Sequence, residues 1–184
     1  MRRLFPSFAI LAALALSAVP AAAQYASSRS MFRNLYVGAG PSYATGDNAD
    51  ALNTGFNLTF GWRQGISQSP MSVRTELSWF RFGTESGNAD ADDFAFMVNL
   101  QVGSTSSEKK IRPYLIGGVG IHYIDIESGN FSSYSSEFGM NGGGGLEIGA
   151  GQIALFGEAR YHWIASNPDF YMVPITFGFR FSQF

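Results

Sequence analysis

Tyr171-Met-Val-Pro-Ile-Thr-Phe-Gly-Phe-Arg-Phe181, followed by Ser182-Gln-Phe184, is the stretch whose reading decides the fold. Val173, Ile175, Phe177, Phe179 and Phe181 fall on one face of a period-2 ladder, and Met172, Pro174, Thr176, Gly178 and Arg180 fall on the other. One face is apolar and aromatic. The other is small, polar and charged. A strand built this way needs two different solvents, one on each side.

The same alternation runs through the chain upstream. Residues 34–43 set Leu35, Val37 and Ala39 against Tyr36, Gly38 and Gly40. Residues 55–63 alternate Phe56, Leu58, Phe60 and Trp62 with Asn57, Thr59, Gly61 and Arg63. Residues 71–82 place Met71, Val73, Leu77 and Trp79 opposite Arg74, Glu76 and Ser78, and residues 93–103 place Phe94, Phe96, Val98, Leu100 and Val102 opposite Asn99 and Gln101. In 111–123, Pro113, Leu115, Val119, Ile121 and Tyr123 oppose Arg112, Tyr114, Gly118, Gly120 and His122; Pro113 belongs near the strand start, where a missing ladder donor is tolerated. Residues 140–149 are glycine-rich, with Leu146 and Ile148 against Asn141 and Glu147. Residues 152–163 alternate Ile153, Leu155, Ala159, Tyr161 and Trp163 with Phe156, Glu158, Arg160 and His162.

With 171–181 this predicts eight strands, each of about the ~9–11 residues that a tilted strand needs to cross a bilayer. The connections 44–54, 83–92 and 125–139 are long, whereas 64–70, 104–110 and 149–151 are short, as in bacterial barrels; the link 164–169 is short for its side. An even strand count returns both termini to one side, expected to be the periplasm.

The chain opens Met1-Arg-Arg3, runs apolar from Phe8 to Val19 and reaches Ala21-Ala-Ala23 before Gln24. A basic start, a short apolar run and small residues at a cleavage point read as an export signal, expected to occupy 1–23. Residues 24–33 are a polar periplasmic lead-in, and 34–184 form the barrel domain. Without Arg2 and Arg3 the twelve basic residues become ten against fourteen acidic ones, a net charge of about -4, which argues against a nucleic-acid partner. There is no cysteine, so neither a disulfide nor a thiolate metal site is available. No cofactor and no metal are expected.

Two features favour lipid over water around the apolar face. Arg74, Glu76, Glu147, Glu158, Arg160 and Arg180 share the polar face and include both signs, so they are expected to pair as a charge network inside a narrow lumen. Trp62, Trp79, Tyr123, Tyr161, Trp163 and Tyr171 stand near strand ends on the apolar face, where aromatic girdles meet membrane interfaces. The fold class expected is therefore all-β, an eight-stranded antiparallel up-and-down transmembrane barrel in the outer membrane.

Leu35-Tyr-Val-Gly-Ala-Gly40, Arg112-Pro-Tyr-Leu-Ile-Gly-Gly-Val-Gly-Ile-His-Tyr123, Phe156-Gly-Glu-Ala-Arg-Tyr161 and Phe177-Gly-Phe-Arg-Phe181 carry a resemblance to the small outer-membrane β-barrels of the outer-membrane protein A-like, or porin-family, superfamily. It covers the whole exported chain and is specific for architecture more than for function. It implies contact with outer-membrane lipid and lipopolysaccharide, and delivery by the barrel-assembly machinery. That machinery reads an aromatic at the end of the last strand. Phe177, Phe179 and Phe181 keep the ladder register, and Phe184 has the opposite parity. A monomer is expected.

The first functional expectation is a non-enzymatic barrel with a largely plugged lumen, serving envelope integrity or surface adhesion. The alternative is a narrow pore for small solutes, with the lumen charges setting selectivity. The third is a lipid A-modifying enzyme, prompted by His162-Trp-Ile-Ala-Ser-Asn167; related deacylases set the serine two residues after the histidine, whereas here it is Ser166. A general base must lie within hydrogen-bond reach of its nucleophile, which this spacing does not ensure. His122, the other histidine, reads as an interior hydrogen-bonder. Asp47, Asp50, Glu85, Asp90, Asp92, Asp125, Glu127, Glu137 and Asp169 make the outer connections acidic, open to an extracellular ligand; no calcium-loop pattern is present. Arg81, on the membrane-facing parity near the outer rim, is expected to reach lipopolysaccharide phosphate.

Overall fold

The alternation written in the sequence becomes the two walls of one closed sheet. The computed structural model describes residues 34–46, 52–84, 89–103, 110–128, 131–150 and 152–181. Its strands are β1 (Leu35–Thr45), β2 (Gly55–Gly65), β3 (Met71–Gly83), β4 (Ala89–Gly103), β5 (Ile111–Ser128), β6 (Phe131–Ala150), β7 (Ile153–Ile164) and β8 (Phe170–Phe181). Each pairs antiparallel with its sequence neighbours, and β1 pairs with β8 to complete an eight-stranded barrel. Closure leaves no run of unpaired amides along the barrel wall. At the end where the chain enters and leaves, Asn34 N donates to Phe181 O at 2.9 Å and Arg63 N donates to Asn34 O at 3.0 Å. We call this the terminal end and its opposite the loop end.

Burial is inverted relative to a water-soluble protein. Leu115 is 71% exposed and Leu77 53%, whereas Glu76 is 1% exposed and Arg160 3%. Exposed leucine and buried arginine on adjacent registers are stable together only where the outer wall meets hydrocarbon. The interior is not polar throughout. Toward the loop end Phe80, Phe82, Ala95, Met97, Ile164 and Met172 point inward and pack together, with Leu52, Ile124 and Phe170 against them. Polar alternation read as an all-polar lumen thus needs correction in its last third.

Two prolines interrupt the ladder at the closing seam. Pro41 on β1 and Pro174 on β8 each lack a donor, and the β1–β8 register skips from Ala39↔Phe177 to Ser42↔Pro174. The Asn57 side chain, reaching in from β2, repairs the gap. Its amide donates to Gly40 O at 2.9 Å and to Pro41 O at 3.1 Å, and its carbonyl accepts from Thr176 Oγ1 at 2.8 Å. Glycine also makes room where large side chains cross the lumen. A Cβ at Gly61 would lie 2.5 Å from Tyr36 Oη, and one at Gly145 would lie 2.6 Å from the Tyr114 ring.

The strand ends at the loop end differ from the sequence expectation. Segments 83–92 and 125–139 were expected as loops, yet β4 begins at Ala89, β5 reaches Ser128 and β6 starts at Phe131, with pairs such as Ile126↔Ser133 continuing the ladder. Beyond the apolar belt both faces are wet, so hydrophobic alternation lapses while backbone pairing goes on satisfying the main chain. The β6 pairing with β7 starts only at Gly139↔Ile164, so β5 is the strand partner of residues 131–138.

Candidate functional site

The lumen gathers the charges that the sequence placed on the polar face. β3 and β7 lie four strands apart and run in the same direction, so they face one another across the barrel. Reading toward the loop end, β3 presents Arg74 then Glu76, and β7 presents Glu158 then Arg160. The two orders are complementary, and opposite charges meet at each level. Arg74 Nη1 donates to Glu158 Oε2 at 2.6 Å, and Arg160 Nη1 donates to Glu76 Oε1. Within the strands, Arg74 Nη2 lies 3.3 Å from Glu76 Oε2 and Arg160 Nε lies 2.9 Å from Glu158 Oε1. Two tyrosines join these four charges. Tyr36 Oη donates to Glu76 Oε2 at 2.5 Å and Tyr114 Oη to Glu158 Oε2 at 2.8 Å, while the Arg74 guanidinium stacks 4.3 Å above the Tyr36 ring. Two cations, two anions and two hydroxyl donors thus sit in one buried, balanced layer. A charge out of water is tolerable only with such partners.

A second layer lies nearer the terminal end and is not balanced. Glu147 on β6 receives Arg180 Nε at 3.1 Å and Arg180 Nη2 at 2.8 Å, and Arg63 Nη1 at 2.9 Å. Arg112 Nη2 also approaches Glu147 Oε1 to 2.8 Å. Sequence reasoning named Glu147 and Arg180 here but left out Arg63 and Arg112. Both had the right parity, but they stand at strand ends, where parity alone does not say whether a side chain turns into the lumen or out to water. Tyr36 and Tyr114 were missed as well, since tyrosine on the polar face carries no charge signal.

Toward the loop end the polar contacts become sparse. Thr59 and Ser78 share a hydrogen bond of 2.8 Å, Asn141 Nδ2 donates to Asn99 Oδ1 at 2.8 Å, and His122 Nδ1 lies 2.8 Å from Asp93 Oδ2. His122 is therefore an interior hydrogen-bonding group, with a partner that the sequence reading did not name. His162 is fully buried, edge-on to Phe80 at 5.5 Å and to His122 at 6.1 Å. It does not meet Ser166, whose Oγ donates to Pro168 O at 2.7 Å. The base–nucleophile contact that a deacylase-like mechanism requires is not made by this pair. No group of three or more His, Cys, Asp or Glu among the described residues is arranged to hold a metal ion.

The outer wall carries the aromatic residues. Trp79, Tyr123, Tyr161, Trp163 and Tyr171 project from it toward the loop end, with Trp163 opposite Tyr171 in the ladder. Trp62 projects near the terminal end, paired with Leu35, on the same side as Phe179 and Phe181. Phe177 also faces outward, while Phe184 lies outside the described residues. Arg81 is held by acidic neighbours, with Nη2 2.6 Å from Asp90 Oδ2, and Trp79 Nε1 donates to Asp92 Oδ1 at 2.8 Å. Asp90, Asp92, Asp125, Glu127 and Glu137 lie on strand extensions; Asp169 precedes β8, and Asp47, Asp50 and Glu85 fall outside the described residues.

Comparison with known proteins matches residues 9–181 to the model of the outer membrane protein beta-barrel domain. No curated protein sequence matches the chain. Among solved structures, Neisserial surface protein A is 14% identical, with a TM-score of 0.63 over 81% of this chain and 96% of that one. The N-terminal barrel domain of Pseudomonas aeruginosa OprF is 14% identical, with a TM-score of 0.52 over 81% and 98%. Ail, the attachment invasion locus protein of Yersinia pestis, is 19% identical, with a TM-score of 0.51 over 80% and 95%.

Proposed function

Because the chain belongs to the outer membrane protein beta-barrel domain family and resides in the bacterial outer membrane, we propose that it acts there as a closed barrel, contributing to envelope integrity and offering its loop end for adhesion or partner binding. One observation carries this reading. The lumen is filled in depth, first by the balanced Arg74–Glu76–Glu158–Arg160 layer and then by the apolar packing around Phe80, Phe82 and Met172. A solute would have to part ion pairs and an apolar plug in sequence, and eight strands leave little room to move them aside. What remains available to a protein partner is the outside.

In this reading the terminal end faces the periplasm. Residues 1–23 are removed on export and 24–33 lead into the barrel. The belt of Trp79, Tyr123, Tyr161, Trp163 and Tyr171 sits at the outer interface among lipopolysaccharide, and Trp62 with Phe179 and Phe181 sits at the inner one. The barrel-assembly machinery reads β8 through Phe177, Phe179 and Phe181, and the folded protein is a monomer. The loop end supports an adhesive role through β6, whose residues 131–137 have a strand partner on the β5 side and a second edge facing away from it, the β7 side joining at Phe138, whose carbonyl accepts from Ala165 N. An extended segment of another protein can add to such an edge.

Planar-bilayer recording of the purified protein tests the closed lumen. Baseline current without steady openings is the expected result. Steady, charge-selective openings that disappear in Glu76→Gln or Arg160→Gln would replace this reading with a narrow pore.

A further inference from the structure

We propose that the terminal mouth of the lumen is a binding site for a soluble phosphate or phosphomonoester, held by Arg63, Arg112 and Arg180 beside Glu147. The first observation is a charge imbalance. The layer one step deeper is neutral, two arginines against two glutamates, so it lends the mouth no counter-charge. At the mouth three guanidinium groups share one carboxylate, and Glu147 is the acidic side chain that the described residues place there. Among the described residues, two positive charges there are left without a carboxylate of their own.

The second observation is unused donors. Arg112 Nε and Nη2 are buried and make no hydrogen bond; the 2.8 Å approach of Nη2 to Glu147 is close enough for an ion pair but lacks hydrogen-bond alignment. Arg63 spends one of its five donors on Glu147. The third is access. A recess that opens to solvent, with room for about one water in this side-chain arrangement, is lined by Arg63, Ser72, Gln101, Arg112, Tyr114 and Glu147, and the Arg63 side chain is one-fifth exposed at its edge. A phosphate enters as the long Arg63 and Arg112 side chains, partly exposed at the mouth, turn to meet it.

These three features select the ligand. A guanidinium fork matches the oxygens of phosphate in a bidentate way, and buried N–H groups left unpaired gain most from an anion with several acceptors. A phosphomonoester carries about -1.5 to -2 at neutral pH, which compensates the two open charges with one molecule. A carboxylate would compensate one. The recess lies inside the barrel and away from the lipid-facing wall, so the ligand comes from solution; in the orientation proposed above, that is the periplasm.

The test is isothermal titration of the full exported protein in dodecyl maltoside micelles with inorganic phosphate, ionic strength being held constant with potassium chloride. One saturable site is expected, with acetate binding at least about tenfold more weakly. Arg63→Gln and Arg112→Gln should each weaken phosphate about tenfold, the loss of roughly one charged hydrogen bond. Arg81→Gln, at the other end, should leave it unchanged. Retained heat-modifiable gel migration shows which variants fold. Should either fail to fold, the native protein still decides the matter: its thermal midpoint should rise with phosphate at constant ionic strength and not with chloride. Absence of both the saturable heat and the rise, equal affinity for acetate, or unweakened binding in a folded Arg63→Gln, Arg112→Gln double variant would overturn the proposal.

Discussion

Glu76 and Asp90 each face an arginine, and the difference between them is solvent. Glu76 is buried among Arg74, Arg160 and Tyr36, whereas Asp90 and Arg81 are about half exposed. Replacing Glu76 with glutamine leaves buried guanidinium charge without its counter-ion, and we expect a loss of about 3–5 kcal/mol. Asp90→Asn removes a solvated pair and should cost under about 1 kcal/mol. Urea unfolding of the two variants in the same micelles measures the contrast, and equal losses would show that burial does not govern the network. Asn57 makes a different kind of contribution, since it supplies hydrogen bonds that Pro41 and Pro174 withhold from the seam. Asn57→Ala should cost about 1–3 kcal/mol by leaving buried carbonyls unsatisfied, read from the same unfolding curves. Its polar-face parity was legible in the sequence. Its role was not, because it depends on the closing of β1 against β8, which brings Thr176, 119 positions away, against the same side chain that serves the Gly40 and Pro41 carbonyls.

At the scale of the element, β8 shows how far periodicity carries. Its outward phenylalanines and inward Arg180 follow from parity alone, and the structure keeps that parity from Phe170 to Phe181. We expect Phe181→Ala to reduce the folded, heat-modifiable form recovered in outer-membrane fractions, and removal of 182–184 to leave it largely intact; the opposite pattern would make Phe184 the residue recognised in assembly. Strands β5 and β6 show where periodicity stops. Ser132-Ser-Tyr-Ser-Ser136 has no apolar face to betray a strand, and the ladder there is specified by pairing with β5. The glycine run 142–145 gave a weak strand signal for a related reason. Gly145 is small because the Tyr114 ring occupies its place, a requirement set by the neighbouring strand.

At the scale of the whole barrel, the described residues are electrically polarised along its axis. Among the described residues, Asp90 and Asp92 flank Arg81 at the loop end and Asp125, Glu137 and Asp169 stand on the same side, while Arg63, Arg112 and Arg180 gather at the terminal end around Glu147. The two ends therefore differ in the charge of the partner they would suit, cationic or neutral at the loop end and anionic at the terminal end, which the proposed orientation puts outside and in the periplasm. The domain layout is checked by N-terminal sequencing of protein recovered from outer membranes. It should begin at Gln24, and an intact Met1 start would exclude the cleaved leader.

Sequence alone determined the strand number, the antiparallel order, the inside-out faces and the membrane, because each follows from local alternation and from the length of chain that spans hydrocarbon. It also contained the complementary orders Arg74–Glu76 and Glu158–Arg160, visible once the two strands are known to face each other. Only the tertiary structure decided which charges balance and which do not, that the lumen turns apolar toward the loop end, and that Arg63 and Arg112 join Glu147. Those outcomes depend on barrel closure, which brings residues more than eighty positions apart within hydrogen-bond distance, and no pattern within a single strand encodes that meeting.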